Sequence, residues 1–203
     1  YAHSLRKVFD KYADGDVVWD EIPFERKITH ERIALMDPTS NMTIDFTSKE
    51  LGDAGSDSYS VLRAPFDAWL AQLCEKAGCE IIAGIGVEDL VKDDVGAVIG
   101  IKAGDDEITA QVVILAEGVN SLLAERCLGA PRPKRSEMAV GIKELFELPA
   151  RTIEDRFLTP EGEGAAMLFV GDCTHGSVGG GFLYTNKDSI SLGLVATIEE
   201  LST

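Results

Sequence analysis

The chain has 203 residues, with 19 Lys and Arg against 35 Asp and Glu, for a formal net charge of −16. That balance excludes a basic nucleic-acid footprint and offers no electrostatic pull toward anionic lipid. With 45% hydrophobic and 27% charged residues, the chain can bury a core as one large domain or two small ones. No apolar run is long enough to span a membrane and no signal peptide is read at its start. Cys74, Cys79, Cys127 and Cys173 form no CxxC pair, which reads as a reduced, cytosolic chain rather than a disulfide scaffold or metal cluster. Tyr1 in place of an initiator Met, and a helix just starting at Ile198–Leu201, lead us to expect a piece of something longer.

Leu5, Val8, Phe9 and Tyr12 have helical spacing before a break at Asp14-Gly15-Asp16. Short strands are expected at Phe24–Ile28, Arg32–Met36 and Met42–Phe46, with Asp37-Pro38 at a turn, then a loop over 47–58. Tyr59–Leu62 reads as a strand ending at Arg63. The clearest helix is 65–77, with Pro65 at its first position, Gly78 past its end, and Phe66, Trp69, Leu70, Leu73, Cys74 and Ala77 on one face. Glu80–Ile82 follows, then a meander of Val87–Val91 and Val98–Ile101, closed by a strand at Val112–Leu115 and a helix at Asn120–Cys127. Beyond Pro131-Arg132-Pro133, Glu137–Glu147, Ala165–Val170, Gly181–Thr185 and Ser189–Ala196 read as long strands of an antiparallel sheet, interrupted by a helix at Ala150–Phe157.

Few residues suggest chemistry on their own. Gly84-Ile85-Gly86 lacks the third glycine and the following helix that a phosphate loop needs, so it reads as a strand start. Ala116-Glu117-Gly118 is a tight turn at the end of an apolar run, suited to close ligand approach, with Ser121 expected to cap the next helix. Arg63 could reach a phosphate or lie on the surface. The run Gly179-Gly180-Gly181 suggests close approach of a backbone or flat ligand, or else a bulge. Cys173-Thr174-His175 lacks further ligands at zinc spacing, and Lys143 with Glu144 reads as a structural pair.

Four ordered segments resemble the FixC-type flavoproteins, relatives of electron-transfer-flavoprotein:quinone oxidoreductase and the geranylgeranyl reductases. Val61–Ala71 is similar to their "VLRxxFDxWLA", Val113–Ser121 to "VILADGVNS", Ala139–Glu144 to "AVGVKE", and Gly179–Val195 to "GGGFLYTNxDSxSLGLV". The resemblance runs from about Phe24 onward. It implies an α+β fold of the p-hydroxybenzoate-hydroxylase-like architecture, part of its FAD-binding α/β unit plus the substrate-domain sheet. Residues 1–60 would start the substrate domain, 61–130 form a partial FAD-binding unit, and 131–203 form the substrate-domain sheet.

The same resemblance implies FAD held in part by Arg63, Val87, Ala116, Glu117 and Gly118. Gly180, Gly181, Phe182 and Tyr184 would lie on the substrate side. Glu117 stands where the family usually has Asp, the family's GxGxxG and "GDA" segments lie outside this chain, and the cluster-binding cysteines of the quinone oxidoreductase branch are not seen in it. Partners implied are electron-transfer flavoprotein and a quinone or ferredoxin-like acceptor. The parent would be an FAD-dependent oxidoreductase, cytoplasmic or peripheral at the inner membrane face, and this chain alone inactive, binding FAD poorly or not at all. The alternatives are an isoprenoid ene reductase, whose Trp and Pro signature is missing at Gly181–Asn186, and a non-catalytic interaction module with an acidic surface. No catalytic residue is assigned.

Overall fold

In the computed structural model, which describes residues 2–13, 15, 17–53 and 55–202, the apolar spacing near the start becomes helix α1 (His3–Tyr12), with Phe9 buried. Asp14 and Asp16 of the expected break lie outside the described residues. Strand β1 (Lys27–Met36) and strand β2 (Asn41–Thr47) form an antiparallel hairpin, turned where Asp37 N–H donates to Ser40 O (2.9 Å). The two strands expected between Phe24 and Met36 are therefore one, starting three residues later. Tyr59 makes only an isolated bridge to Lys27, and Arg63 opens helix α2 (Arg63–Lys76). Pro65 thus falls third, still within the first turn, where the missing N–H has no intrahelical partner to lose. Phe9 meets Trp69 edge-on at 5.7 Å, yet no residue of α2 is fully buried.

The chain divides into two units, Tyr1–Cys79 with Met138–Thr203, and Glu80–Glu137. The second holds a meander of β3 (Asp89–Lys92), β4 (Val98–Ala103) and β5 (Asp106–Thr109), followed by helix α3 (Leu122–Leu128). Its third strand is β5, not Val112–Leu115 as expected, and Glu80–Ile82 forms no strand either. A strand requires a neighbour for its N–H and C=O groups, and these segments have none among the described residues. Val112 (74%) and Ile114 (84%) are accordingly left exposed. Cys127 Sγ–H donates to Asp89 Oδ1 (3.1 Å) and Lys92 Nζ to Cys127 O (2.9 Å), tying α3 to β3.

The first unit continues with β6 (Ala139–Glu147), α4 (Ala150–Phe157), β7 (Glu163–Gly171), β8 (Gly179–Thr185) and β9 (Ser189–Thr197). Together with the first hairpin they build a six-stranded sheet in the order β2-β1-β7-β8-β9-β6. It is mixed rather than antiparallel, because β1 runs parallel to β7. Those two strands lie far apart in sequence, so no tight turn fixes their relative direction.

The core of this unit is small and largely polar. Ile153 of α4 and Ala165 of β7 are fully buried, next to Arg26, Thr185, Asn186 and Ser189. Arg26 is the hub: its guanidinium donates to Asn186 O (2.5 Å), Glu154 Oε1 (3.1 Å), Glu163 O (3.0 Å) and Lys187 O (2.8 Å). It thereby joins the approach to β1 with α4 and the β8–β9 turn. A Cβ on Gly164 would stand 2.5 Å from Thr185 Oγ1 and 2.9 Å from Arg26 Cβ, so the hub also demands glycine there.

Candidate functional site

Side chains alternate across a strand, so register alone sorts the six-stranded sheet into two faces. One face carries the cross-strand row Lys143, Gly193, Phe182, Leu168, Ile33, Ile44, reading from β6 to β2. The next row on the same face is Leu145, Ser191, Tyr184, Ala166, Glu31, Phe46. Over these rows lies a cleft of about 670 Å³, bounded on one side by Ser58–Val61.

That wall is held by backbone bonds. Ile28 N–H donates to Ser58 O and Ser60 N–H to Arg26 O, each at 2.9 Å, while Ser60 Oγ donates to Thr185 O (2.6 Å). Tyr59 stacks on Phe24, with centroids 4.1 Å apart and planes 11° from parallel. Trp19 Nε1–H donates to the Tyr59 hydroxyl (3.3 Å). The wall is therefore a braced aromatic surface whose polar end is satisfied. The floor is aromatic too, since Phe182 and Tyr184 lie 5.4 Å apart. The Phe182 ring lies over Gly193, where a Cβ would collide with its Cζ.

The expected site residues fall in both units. Gly180, Phe182 and Tyr184 share the cleft face by strand alternation, with Phe182 and Tyr184 lining the cleft itself. Gly181 points to the opposite face, where a Cβ would stand 3.1 Å from Leu194 Cδ2 and Phe169 Cδ2. The glycine run makes no bulge. A Cβ on Gly179 would run into Val195 O of β9, and one on Gly180 would stand 2.6 Å from Phe169 O of β7. These glycines let neighbouring backbones approach closely.

Arg63 lies in the first unit, its exposed side chain paired with Asp67 Oδ1 (2.8 Å) one turn on. The hydrogen bond to Asp67, and then its charge, raise the Arg63 pKa. Val87, Ala116, Glu117 and Gly118 lie in the second unit, with Val87, Ala116 and Gly118 exposed. Gly118 adopts φ +69° with open space where a Cβ would stand, which only glycine occupies without strain. Glu117 is committed internally: its carboxylate accepts from Leu123 N–H (2.8 Å) and Ala124 N–H (3.0 Å) at the start of α3. Ser121, expected to cap that helix, makes no side-chain cap bond and sits at φ 38°. A left-handed Ser121 does not present the hydroxyl as an N-cap does, and Glu117 takes its place.

Lys143 and Glu144 are not a pair. Adjacent strand residues face opposite ways, so Lys143 lines the cleft and Glu144 a second, apolar hollow of about 400 Å³ on the reverse face. Lys143, Glu31, Tyr59 and Phe46 are cleft residues that sequence reasoning did not select. Alternation placed Lys143 on one face of its strand, but only the β6–β9–β8 register puts that face with Phe182. Among the described residues no group of three or more His, Cys, Asp and Glu could hold a metal ion. No described helix is long and apolar enough to cross a membrane.

Comparison with known proteins gives this geometry a family. No protein-family model matches the chain. Protein FixC from Salmonella typhi is 50% identical over 201 residues, 99% of this chain and 45% of that relative. The probable electron transfer flavoprotein-quinone oxidoreductase YdiS from Escherichia coli is 42% identical over 202 residues, covering all of this chain and 46% of the relative. Among solved structures, PqsL, a probable FAD-dependent monooxygenase from Pseudomonas aeruginosa, superposes with a TM-score of 0.64 at 17% identity, over 97% of this chain and 49% of that one. Such a likeness establishes a p-hydroxybenzoate-hydroxylase-like fold. The chain spans less than half the length of the curated relatives it matches. Over its own length, the chain belongs to the FixC and electron-transfer-flavoprotein–quinone oxidoreductase family.

Proposed function

We propose that this chain is the acceptor-side portion of an FAD-dependent oxidoreductase that takes electrons from an electron-transfer flavoprotein and delivers them to a quinone. The observation that carries the reading is the cleft of about 670 Å³ with a braced aromatic wall and aromatic floor. Concave, mostly apolar sites with a few fixed polar groups are where flat, conjugated small molecules bind. The family membership supplies the electron-transfer chemistry, and a quinone acceptor would bring the parent to the membrane surface where such molecules dissolve.

The residues present fit a flavin in one respect. The Ala116-Glu117-Gly118 turn is exposed, open above Gly118 and stiffened by the Glu117 bonds to α3, so its backbone can lie against a ligand. FAD, when bound, carries the two-electron chemistry. This chain's own residues bind and orient the acceptor: Phe182 and Tyr184 as floor, Tyr59 as wall, and Leu168, Ile33 and Ile44 keeping water from the apolar part. The Ala116–Gly118 turn is one contact of a cofactor site whose remainder belongs to the longer parent, and the 203-residue chain alone binds FAD poorly and is inactive.

The test is electron transfer by the full-length, flavin-loaded parent. Reduced electron-transfer flavoprotein should drive reduction of a short-chain benzoquinone, and Phe182→Ala should raise the quinone KM without slowing flavin reduction. Transfer to a ferredoxin with none to quinone would overturn the acceptor assignment. Near-stoichiometric flavin on the 203-residue chain alone would refute the statement about that chain.

A further inference from the structure

Lys143 has no assigned role, and its surroundings single it out. It is the end member of the row that crosses the cleft floor from β6 to β2. Among the described residues its ammonium makes no ion pair and no hydrogen bond. Arg32, the other cation that borders the cleft, is engaged elsewhere, with Asp45 (2.7 Å) and Phe157 O (3.1 Å). Glu31, the acid on the same face, sits four strands away, about 19 Å at the usual strand spacing. The cleft thus has one uncommitted cation at one end and an apolar run of Leu168, Ile33 and Ile44 at the other.

The next position along the row is Gly193, and this absence of a side chain matters. The Phe182 ring tilts over the glycine, toward Lys143. Lys143 and Phe182 are two strands apart, about 10 Å between backbones, and a four-carbon stem can bring the ammonium over the ring edge. A planar quinone head resting on Phe182 would present a carbonyl oxygen to that ammonium. Its hydrophobic tail would run about 14 Å over the three apolar residues beyond.

We infer that Lys143 is a positioning residue for the electron acceptor, its Nζ–H donating to one carbonyl oxygen of a tailed quinone lying on Phe182. The inference rests on the quinone reading above. Lys143 sets which end of the molecule enters and how the ring is turned, and it forms no covalent bond. Glu144, one residue on, is the internal control, because it faces the reverse hollow.

The experiment uses the full-length, flavin-loaded parent and two probes: a decyl-tailed benzoquinone, and a decyl-tailed benzene without carbonyls. Equilibrium dialysis measures each against wild type, Lys143→Met, Lys143→Arg and Glu144→Gln. Loss of one charge-assisted hydrogen bond should weaken quinone binding by about tenfold in Lys143→Met. Lys143→Arg should restore most of it, Glu144→Gln should match wild type, and the carbonyl-free probe should bind all four alike. In turnover, Lys143→Met should raise the quinone KM and leave flavin reduction by electron-transfer flavoprotein unchanged. Equal weakening toward both probes would make the role structural and overturn the inference. So would wild-type quinone affinity in Lys143→Met, with the functional reading left standing. A wild-type parent that binds no quinone would overturn that reading and this inference with it.

Discussion

Position 117 shows how one side chain can carry a turn that its neighbours cannot. Helix α3 begins at Leu122 after a left-handed Ser121, whose hydroxyl makes no cap bond. The first N–H groups of any helix lack intrahelical partners, and here the Glu117 carboxylate reaches forward to those of Leu123 and Ala124. Its negative charge also sits at the positive end of the helix. The family's Asp at this place is one methylene shorter, so the two arms brace the turn differently. Glu117→Ala should destabilise by ~0.5–2 kcal/mol, the usual cost of a lost cap, read as a lower thermal midpoint. Glu117→Gln should lose less, since one oxygen still accepts. A midpoint unchanged by Glu117→Ala would show that the turn holds without the carboxylate.

Between elements, the strongest tie is the Arg26 hub. Arg26 is 3% exposed and donates to the Glu154 carboxylate and to the backbone carbonyls of Ala150, Glu163, Asn186 and Lys187, which come from three segments. The Glu154 carboxyl in turn is held below its usual range, first by Gly162 N–H and then by Arg26. Removing the arginine strands these acceptors together, so Arg26→Ala should cost about 3–5 kcal/mol, as for other buried pairs broken from one side. Urea unfolding measures it, and a loss under about 1 kcal/mol, the size of an exposed pair, would sink the claim. Nothing in the sequence announced this arginine, because its partners lie 124 to 161 residues away. Helix α4, by contrast, was legible to the residue, since Pro149 precedes it and its period is local. Strands β6 to β9 were legible for the same reason, through their alternation, whereas the parallel β1–β7 pairing depends on contacts that no short window contains. Val112–Leu115 departs from expectation for the opposite cause: the residues have strand composition but no pairing partner among the described residues.

For the whole molecule, the four ordered motifs carried the family resemblance, and the cleft is built in the unit that holds the first, third and fourth of them. Phe182 and Tyr184 came from the motif. The cleft residues Lys143 and Tyr59 needed the register and the Ser58–Val61 wall. That wall begins beside a buried charge, Asp57, which is 1% exposed and bonded to Arg6 Nη2 at 2.5 Å. Ala2 N–H donates to Asp57 O (2.8 Å), so this residue anchors α1 through both backbone and side chain. Burial alone would raise its carboxyl, but the Arg6 hydrogen bond, the Gly55 N–H and the Arg6 charge outweigh it, and the pKa is lowered. A carboxylate with a depressed folded-state pKa contributes stability that is present above its unfolded value, about 4, and is lost as pH falls through the folded value. Wild type should therefore be more stable than Asp57→Asn at neutral pH, and the gap should close below about pH 4. Acidification also relieves the self-repulsion of a chain with net charge −16, but that change is nearly common to both proteins and cancels in the difference. Thermal midpoints of the pair, measured from neutral to acid pH, decide it: a gap that stays constant would mean the Asp57–Arg6 ion pair contributes nothing beyond its neutral hydrogen bonds.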